Sequence, residues 1–344
     1  MADNSYHHTL VILAFNQALP SGLIGIADML SLAQISQKHS PRNEIMPDNG
    51  GCEAQWRPRV LTANSDGKAV VDGQGRSFKP DIAIKEIERC DAILIPGFVP
   101  DSDGLPPKCI TDQTCREWIR HQYNHGALIG GSCSGAFVIG ETGLLDHKRC
   151  TTTWWLHYEL TKRFPQASTA WASPLVQDGQ IITSGGPLSW VDISLRTIRK
   201  LAGDEVANRV ADFAVVDTMP NSQNKYIPQG HLMSADPFLI KAENLVRKKR
   251  NSSLSTVELA SMLAVSERTL HRRLKKLTGE PPKSFIDRVR MDMAKTMLHI
   301  SDQNINQIAL DLGYSDDAVF RRLFRKQVGM SPLAYRKWKK LRHV

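Results

Sequence analysis

What this sequence lacks narrows its class before any motif is read. No apolar run is long enough to span a bilayer, which excludes a helical membrane protein. The start, Met1-Ala-Asp-Asn-Ser-Tyr-His-His8, has no basic stretch ahead of an apolar one, so no secretory leader and a cytoplasmic location are expected. The six cysteines (52, 90, 109, 115, 133 and 150) form no C-x-x-C pair and no regular spacing. A reduced set is expected, with no metal and no cofactor. Acidic residues are scarce in one region only. Residues 231–344 hold 23 of the 44 Lys and Arg but 11 of the 35 Asp and Glu, a net of +12, which leaves −3 for residues 1–230. A length of 344 residues points to about two domains, and the 41% hydrophobic content is enough for real cores.

The basic end is where pattern appears. Asn306 to Lys326 reads as a short helix, a Gly313 turn and a second helix. Ile308, Ala309 and Leu312 make the apolar stripe of one, and Val319, Phe320, Leu323 and Phe324 that of the other. Arg321, Arg322, Arg325 and Lys326 fill the remaining positions. The same unit occurs upstream at Val257 to Lys276. Leu259, Ala260 and Leu263 match the first stripe at an offset of 49. Leu270, Arg272 and Leu274 match Phe320, Arg322 and Phe324 at an offset of 50. The extra residue falls in the turn, where an insertion costs least. Two copies of a helix, a turn and a basic helix are a double helix-turn-helix, and its cations form a phosphate-binding surface rather than a merely solvated face.

The stretch from about Asp236 to Lys340 resembles the DNA-binding domain of AraC-type transcriptional regulators. Ile308-Ala309, Gly313-Tyr314-Ser315, Phe320, Phe324-Arg325-Lys326, Gly329-Met-Ser-Pro332 and Tyr335-Arg336 carry the resemblance. The first recognition helix is expected from Ser266, its N-cap, to Leu277, preceded by a helix capped at Ser255 or Thr256. Leu270 and Leu274 face inward, and Arg268, His271 and Arg272 outward. The family pattern makes these three the base-facing residues. In the second unit Asp317, Ala318, Arg321 and Arg322 hold the exposed positions, with Asp316 as cap. Asp317 can accept from a cytosine amino group or orient Arg321, and Ala318 can meet a thymine methyl. Arg247-Lys-Lys-Arg250 closes a preceding helix with cations suited to phosphates. Pro281 to Ser301 is expected as a connecting helix of about 30 Å. That is near the ~34 Å between successive major-groove faces, so one chain can read two segments about one helical turn apart.

The first two thirds alternate strands and helices. Apolar runs at His8–Asn16, Gln55–Ala63, Asp91–Gly97 and Gly126–Gly130 read as strands of a mostly parallel sheet. Val70–Phe78 reads as a hairpin, and Pro20–Gln34, Thr111–His125 and part of Ser184–Lys200 as helices. The polar stretch Val215–His231 reads as linker. Gly130-Gly-Ser-Cys133-Ser-Gly135-Ala is a nucleophile-elbow pattern with sulfur in place of hydroxyl, set where a helix N-terminus would favour thiolate. With Ile95-Pro96-Gly97-Phe98, Glu141-Thr-Gly-Leu-Leu-Asp146 and Thr151-Thr-Thr-Trp154 it resembles the class I glutamine amidotransferase-like (ThiJ/PfpI) superfamily, in particular its members fused to an AraC-type domain.

The resemblance implies a flavodoxin-like α/β sandwich over residues 8–214. A linker at 215–235 and an all-α double helix-turn-helix domain at 236–341 follow, with units at 257–277 and 305–327. It also shows a departure. Thr153 stands where enzymes of the superfamily have histidine, and Leu19-Pro20-Ser21-Gly22 offers no acid near the elbow. His157 is the nearest substitute, and a surface or interface role is favoured for it. A cysteine without a base is not activated, so no catalytic residue is expected and Cys133 is read as degenerate. The crevice at the strand ends remains a candidate ligand site, lined by Gly97, Phe98, Cys133 and Ser134. For Trp154, Trp155, Trp171 and Trp190, core packing or a dimer surface is favoured over an aromatic box. The expected function is a DNA-binding regulator acting on an operator as a homodimer. The resemblance implies a small nitrogenous metabolite as effector, with RNA polymerase as a further candidate partner. The rivals are a cysteine-dependent amidase or deglycase, or a Cys133 redox sensor, fused to a DNA-binding domain.

Overall fold

The computed structural model describes residues 8–38, 56–102, 104–218, 220, 223, 226–227, 236–249 and 254–341. The chain divides into two units. One comprises Met1–Leu156, Gln166–Ser168 and Ser173–Pro220; the other comprises His157–Pro165, Thr169–Ala172 and Asn221–Val344.

The strands of the first unit are β1 (His8–Leu13), β2 (Pro58–Asn64), β3 (Val70–Val71), β4 (Ser77–Phe78), β5 (Ile82–Ala83), β6 (Ala92–Ile95), β7 (Leu128–Ser132), β8 (Arg149–Cys150), β9 (Ser168–Thr169), β10 (Leu175–Asp178) and β11 (Ile181–Ser184). Seven form one sheet in the order β10-β11-β7-β6-β1-β2-β5. All its pairs are parallel except β10 with β11. β1 lies inside the sheet, with Leu10 registered between Val60 and Ala92. Such strands must be apolar on both faces because helices cover both sides. Accordingly Leu10, Val11, Ile12, Ile93 and Leu94 are wholly buried. Helices Pro20–Lys38, Trp190–Ala202 and Asp204–Ala214 pack on one another. The expected α/β sandwich is therefore present, and β3 and β4 make the expected hairpin. The edge pair β10–β11 and the helix Asp204–Ala214 had no counterpart in the sequence reading.

Among its described residues the second unit's regular elements are helices, apart from Thr169 of β9: His157–Arg163, Pro237–Lys248, Thr256–Met262, Glu267–Thr278, Pro282–Ile300, Ile305–Asp311, Asp317–Val328 and Pro332–Leu341. Two apolar clusters hold it together. The first gathers Leu239, Leu259, Leu270, Leu274 and Phe285; the second gathers Ile308, Leu312, Phe320, Phe324 and Tyr335. The connecting helix Pro282–Ile300 serves both, giving Phe285, Ile286 and Val289 to one and Met291, Ala294 and Leu298 to the other.

Two sequence expectations change here. Segments 157–165 and 169–172, read as part of the first domain, group with the second unit. The reason is burial: the His157 ring lies edge-on to Trp171 at 4.9 Å, and Trp171 packs on the first helical cluster. The expected linker lies largely outside the described residues. Its described part is mixed: Val215 and Tyr226 are exposed, whereas Gln223 and Ile227 are buried and the Gln223 N–H donates to the Ala172 carbonyl at 3.2 Å.

Candidate functional site

The DNA-facing geometry follows from caps and buried stripes. Ser255 opens the helix Thr256–Met262 with a reciprocal capping box, in which Glu258 bonds back to the Ser255 N–H at 2.8 Å. Ser266 caps Glu267–Thr278, its hydroxyl accepting from the Thr269 N–H at 3.2 Å. In the second unit Asn304 accepts from the Gln307 N–H and Asp316 from the Ala318 N–H, both at 2.7 Å. Leu270 and Leu274 in one recognition helix, and Phe320 and Phe324 in the other, are wholly buried. That rotation leaves Arg268, His271 and Arg272 exposed on the first, and Ala318, Arg321 and Arg322 on the second, with Asp317 half-buried. The Asp317 carboxylate accepts from Arg321 Nε at 2.9 Å, which is the orienting contact read as one of two roles for Asp317. Lys248 and Lys249 are exposed, while Arg247 is held by Glu243 at 2.6 Å; Arg250 lies outside the described residues.

Each unit turns through a left-handed residue, Ala264 (φ +55°) in the first and Gly313 (φ +77°) in the second. They match at the offset of 49, and the caps Ser266 and Asp316 match at 50. The extra residue therefore lies between them, where Tyr314 and Ser315 replace the single Val265. Tyr314 is buried and its hydroxyl donates to Asp287 of the connecting helix at 3.4 Å.

The elbow in the first unit also forms. Cys133 sits at φ +53° directly after β7. Gly135 is required there, because a Cβ on it would lie 2.6 Å from the Ile95 carbonyl oxygen. The elbow closes on itself. The Ser134 hydroxyl accepts from the Phe98 N–H at 2.7 Å and donates to the Phe98 carbonyl at 2.9 Å. The Ser132 hydroxyl accepts from the Gly97 N–H at 3.2 Å. Gly97, Phe98, Cys133 and Ser134 are thus brought together, all buried. The thiol faces the N–H groups of Ser134 and Gly186 and the Thr153 side chain. Burial nevertheless outweighs those donors and pushes the thiol up to about 11. The thiolate expected from the elbow motif is therefore not the neutral-pH form, since desolvation of the charge wins. His157 is committed elsewhere, with Nε2 at 3.3 Å from the Thr278 carbonyl oxygen.

Trp154 and Trp155 meet edge to face at 5.1 Å, Trp190 packs against Gly22 and Gly25, and Trp171 belongs to the second unit. A cavity of about 260 Å³ does open at the sheet's carboxyl edge, at the ends of β1 and β2 rather than at the elbow. Sequence reasoning missed it because its walls come from three loops without a motif. Among the described residues, no group of His, Cys, Asp and Glu could hold a metal, and no helix is long and apolar enough to cross a membrane.

Comparison with known proteins matches residues 53–200 to the DJ-1/PfpI family and residues 259–337 to a helix-turn-helix domain of AraC type. The chain joins a DJ-1/PfpI domain to an AraC-type helix-turn-helix domain. Its relatives include the HTH-type transcriptional regulator CdhR of Pseudomonas aeruginosa, 26% identical with 80% of each chain covered. The regulator ArgR of the same organism is 29% identical over 81% of this chain and 82% of its own. The isonitrile hydratase of Pseudomonas putida matches 41% of this chain and 58% of its own length at 30% identity. Among solved structures, Drosophila melanogaster DJ-1beta aligns with a TM-score of 0.47 at 20% identity, over 61% of this chain and 98% of its own. An AraC family transcriptional regulator from Pseudomonas putida aligns with 0.45 at 16%, over 60% and 99%.

Proposed function

We propose that this chain is a sequence-specific transcriptional regulator. Its helix-turn-helix domain reads two adjacent DNA segments, and its DJ-1/PfpI domain senses a small metabolite and does no chemistry. The observation that carries this is the pair of recognition helices mounted on one connecting helix. Arg268, His271 and Arg272 are presented by one, and Ala318, Arg321 and Arg322 by the other. Nineteen residues of helix span about 28 Å, near the rise of one DNA turn. Reading both segments from a rigid connector requires some bending of the duplex. A homodimer would place two such pairs on an operator, and RNA polymerase is a candidate contact. Selection from randomised duplexes by the full chain should return a bound motif. Failure to enrich any sequence would sink the reading.

The enzyme reading is disfavoured by the thiol itself. With its pKa at about 11, Cys133 carries little thiolate at neutral pH. Alkylation by iodoacetamide should be slow at pH 7 and accelerate as pH rises toward 11. Rapid modification of Cys133 at pH 7 would revive an amidase, a deglycase or a redox sensor. A Cys133→Ser chain that regulates normally would exclude the sensor.

A further inference from the structure

The two helix-turn-helix units differ where their recognition helices end. At the offset of 50, Thr278 and Glu280 correspond to Val328 and Met330, and Arg288 of the connecting helix corresponds to Trp338. In the second unit Val328, Met330 and Trp338 all pack in that unit's own apolar cluster. In the first unit polar residues hold those positions, and a tryptophan from elsewhere in the chain, Trp171, packs on the cluster. Trp171 lies within residues 53–200, the stretch matched to the DJ-1/PfpI family.

The same stretch is fastened to the end of the first recognition helix. His157 Nε2 lies 3.3 Å from the Thr278 carbonyl oxygen. A carbonyl only accepts, so this nitrogen carries the proton. It answers one of the carbonyls that a helix C-terminus leaves open. Thr169 approaches so closely that a Cβ on Gly279 would collide with the Thr169 carbonyl oxygen. The Thr161 and Thr169 hydroxyls meet at 2.8 Å, which ties the helix His157–Arg163 to residue 169. The Arg288 guanidinium lies over the Trp171 ring at 5.2 Å and donates from Nε to Glu280 at 2.8 Å. With the Arg288 side chain 6% exposed, salt screens that pair little.

We propose that residues 157–165 and 169–172 form a clasp that sets the pose of the first recognition helix. They are positioning residues: reading of the first DNA segment depends on them, and reading of the second does not. A helix is stiff, so a tilt at Thr278 is carried to Arg272, about 9 Å along the axis, where base contacts need hydrogen-bond geometry. Mere filling of a core needs apolar contact alone. Here a carbonyl, a glycine and a carboxylate at the helix end are each met by a particular partner. The effect on DNA rests on the regulator reading above.

The test uses the full-length protein and three variants. His157→Leu fills the space but cannot donate, His157→Gln donates again through its amide, and Trp171→Phe keeps a ring. Amide hydrogen exchange without DNA is read first. His157→Leu should speed exchange at residues 275–279 at least fivefold and leave residues 325–329 unchanged. His157→Gln should restore the slow rate, and Trp171→Phe should give a smaller increase at the same amides. Binding is then compared on duplexes scrambled in the first or the second selected segment. Scrambling the first should cost His157→Leu at least fivefold less than it costs the wild type, and scrambling the second should cost both the same. Equal changes in the two helices, no change in His157→Leu and Trp171→Phe, or no rescue by His157→Gln would overturn the clasp. So would a lower melting temperature with weaker binding to every duplex alike, the mark of a purely structural loss. Where His157→Leu fails to fold, Trp171→Phe decides by the same comparison. A wild-type chain that selects no motif would sink the regulator reading, while the exchange rates still decide the clasp.

Discussion

In the first helix-turn-helix the core is mainly aliphatic, with Leu259, Leu263, Leu270 and Leu274 around Phe285. In the second, rings run in series: Tyr314 to Phe320 at 5.6 Å, Phe320 to Phe324 at 5.8 Å, Phe324 to Tyr335 at 5.7 Å and Tyr335 to Trp338 at 5.6 Å. The first turn is one residue shorter and bends through Ala264, the second through Gly313. The first recognition helix opens on Glu267 and Arg268, whereas the second opens on Asp317, which holds Arg321. One backbone plan thus carries two surfaces, and the difference lies where bases are read. The core tolerates Leu for Phe provided volume is kept. The exposed face is under no such constraint and is free to diverge.

The largest expected effect comes from the rings. Phe320→Ala should cost about 3–5 kcal/mol of unfolding free energy in urea titration, since it opens a cavity where a wholly buried ring of the series stood. Phe320→Leu should cost far less; an equal loss would mean that ring pairing, not volume, sets the second core. Next are the base-facing arginines. Arg272→Ala and Arg322→Ala should each weaken operator binding by about 1–3 kcal/mol, each relaxing preference at a different segment. Losses equal on operator and random duplex would show that these residues contact phosphate alone.

The turns should respond with opposite signs. Gly313→Ala should destabilise by about 1–2 kcal/mol, the cost of a Cβ in left-handed backbone. Ala264→Gly should be near neutral or slightly stabilising by thermal melt, because relief of that strain is offset by a freer unfolded chain. The smallest effect is expected at Asp317→Asn. Its pair with Arg321 is half exposed, so stability should move by about 0.5 kcal/mol or less. The salt dependence of DNA binding should steepen, because a carboxylate that opposes one phosphate contact is gone. An unchanged slope would mean that Arg321 does not reach the backbone.

The helical half was readable because each element carries its own signal. Apolar residues recur at helical spacing, Ser266 and Asp316 cap, and Gly279 and Gly329 end the recognition helices in left-handed backbone. The repeat then doubled every signal. In the other half, β1 and β6 were legible as apolar runs and the elbow as a glycine pattern. The fate of the thiol was not, because desolvation depends on what packs above Cys133 and no local residue encodes that. Nor was the destination of residues 157–172. His157 and Trp171 look in sequence like ordinary aromatic residues of an α/β domain. Their partners lie far along the chain, Thr278 121 residues beyond His157 and the first helical cluster from Leu239 onward. The cavity was invisible for the same reason, since Phe15, Asp66 and Asp112 meet only once β1, β2 and the loop before Gln113 are placed.

The claim that two unlike helices read two unlike segments can be tested in one measurement. Randomised duplexes are selected by the full chain, and then by Arg272→Ala and Arg322→Ala, with every base position compared. The expected result is two non-identical segments about one helical turn apart, one blurred by each substitution. Two copies of one segment, or both substitutions blurring the same bases, would contradict it.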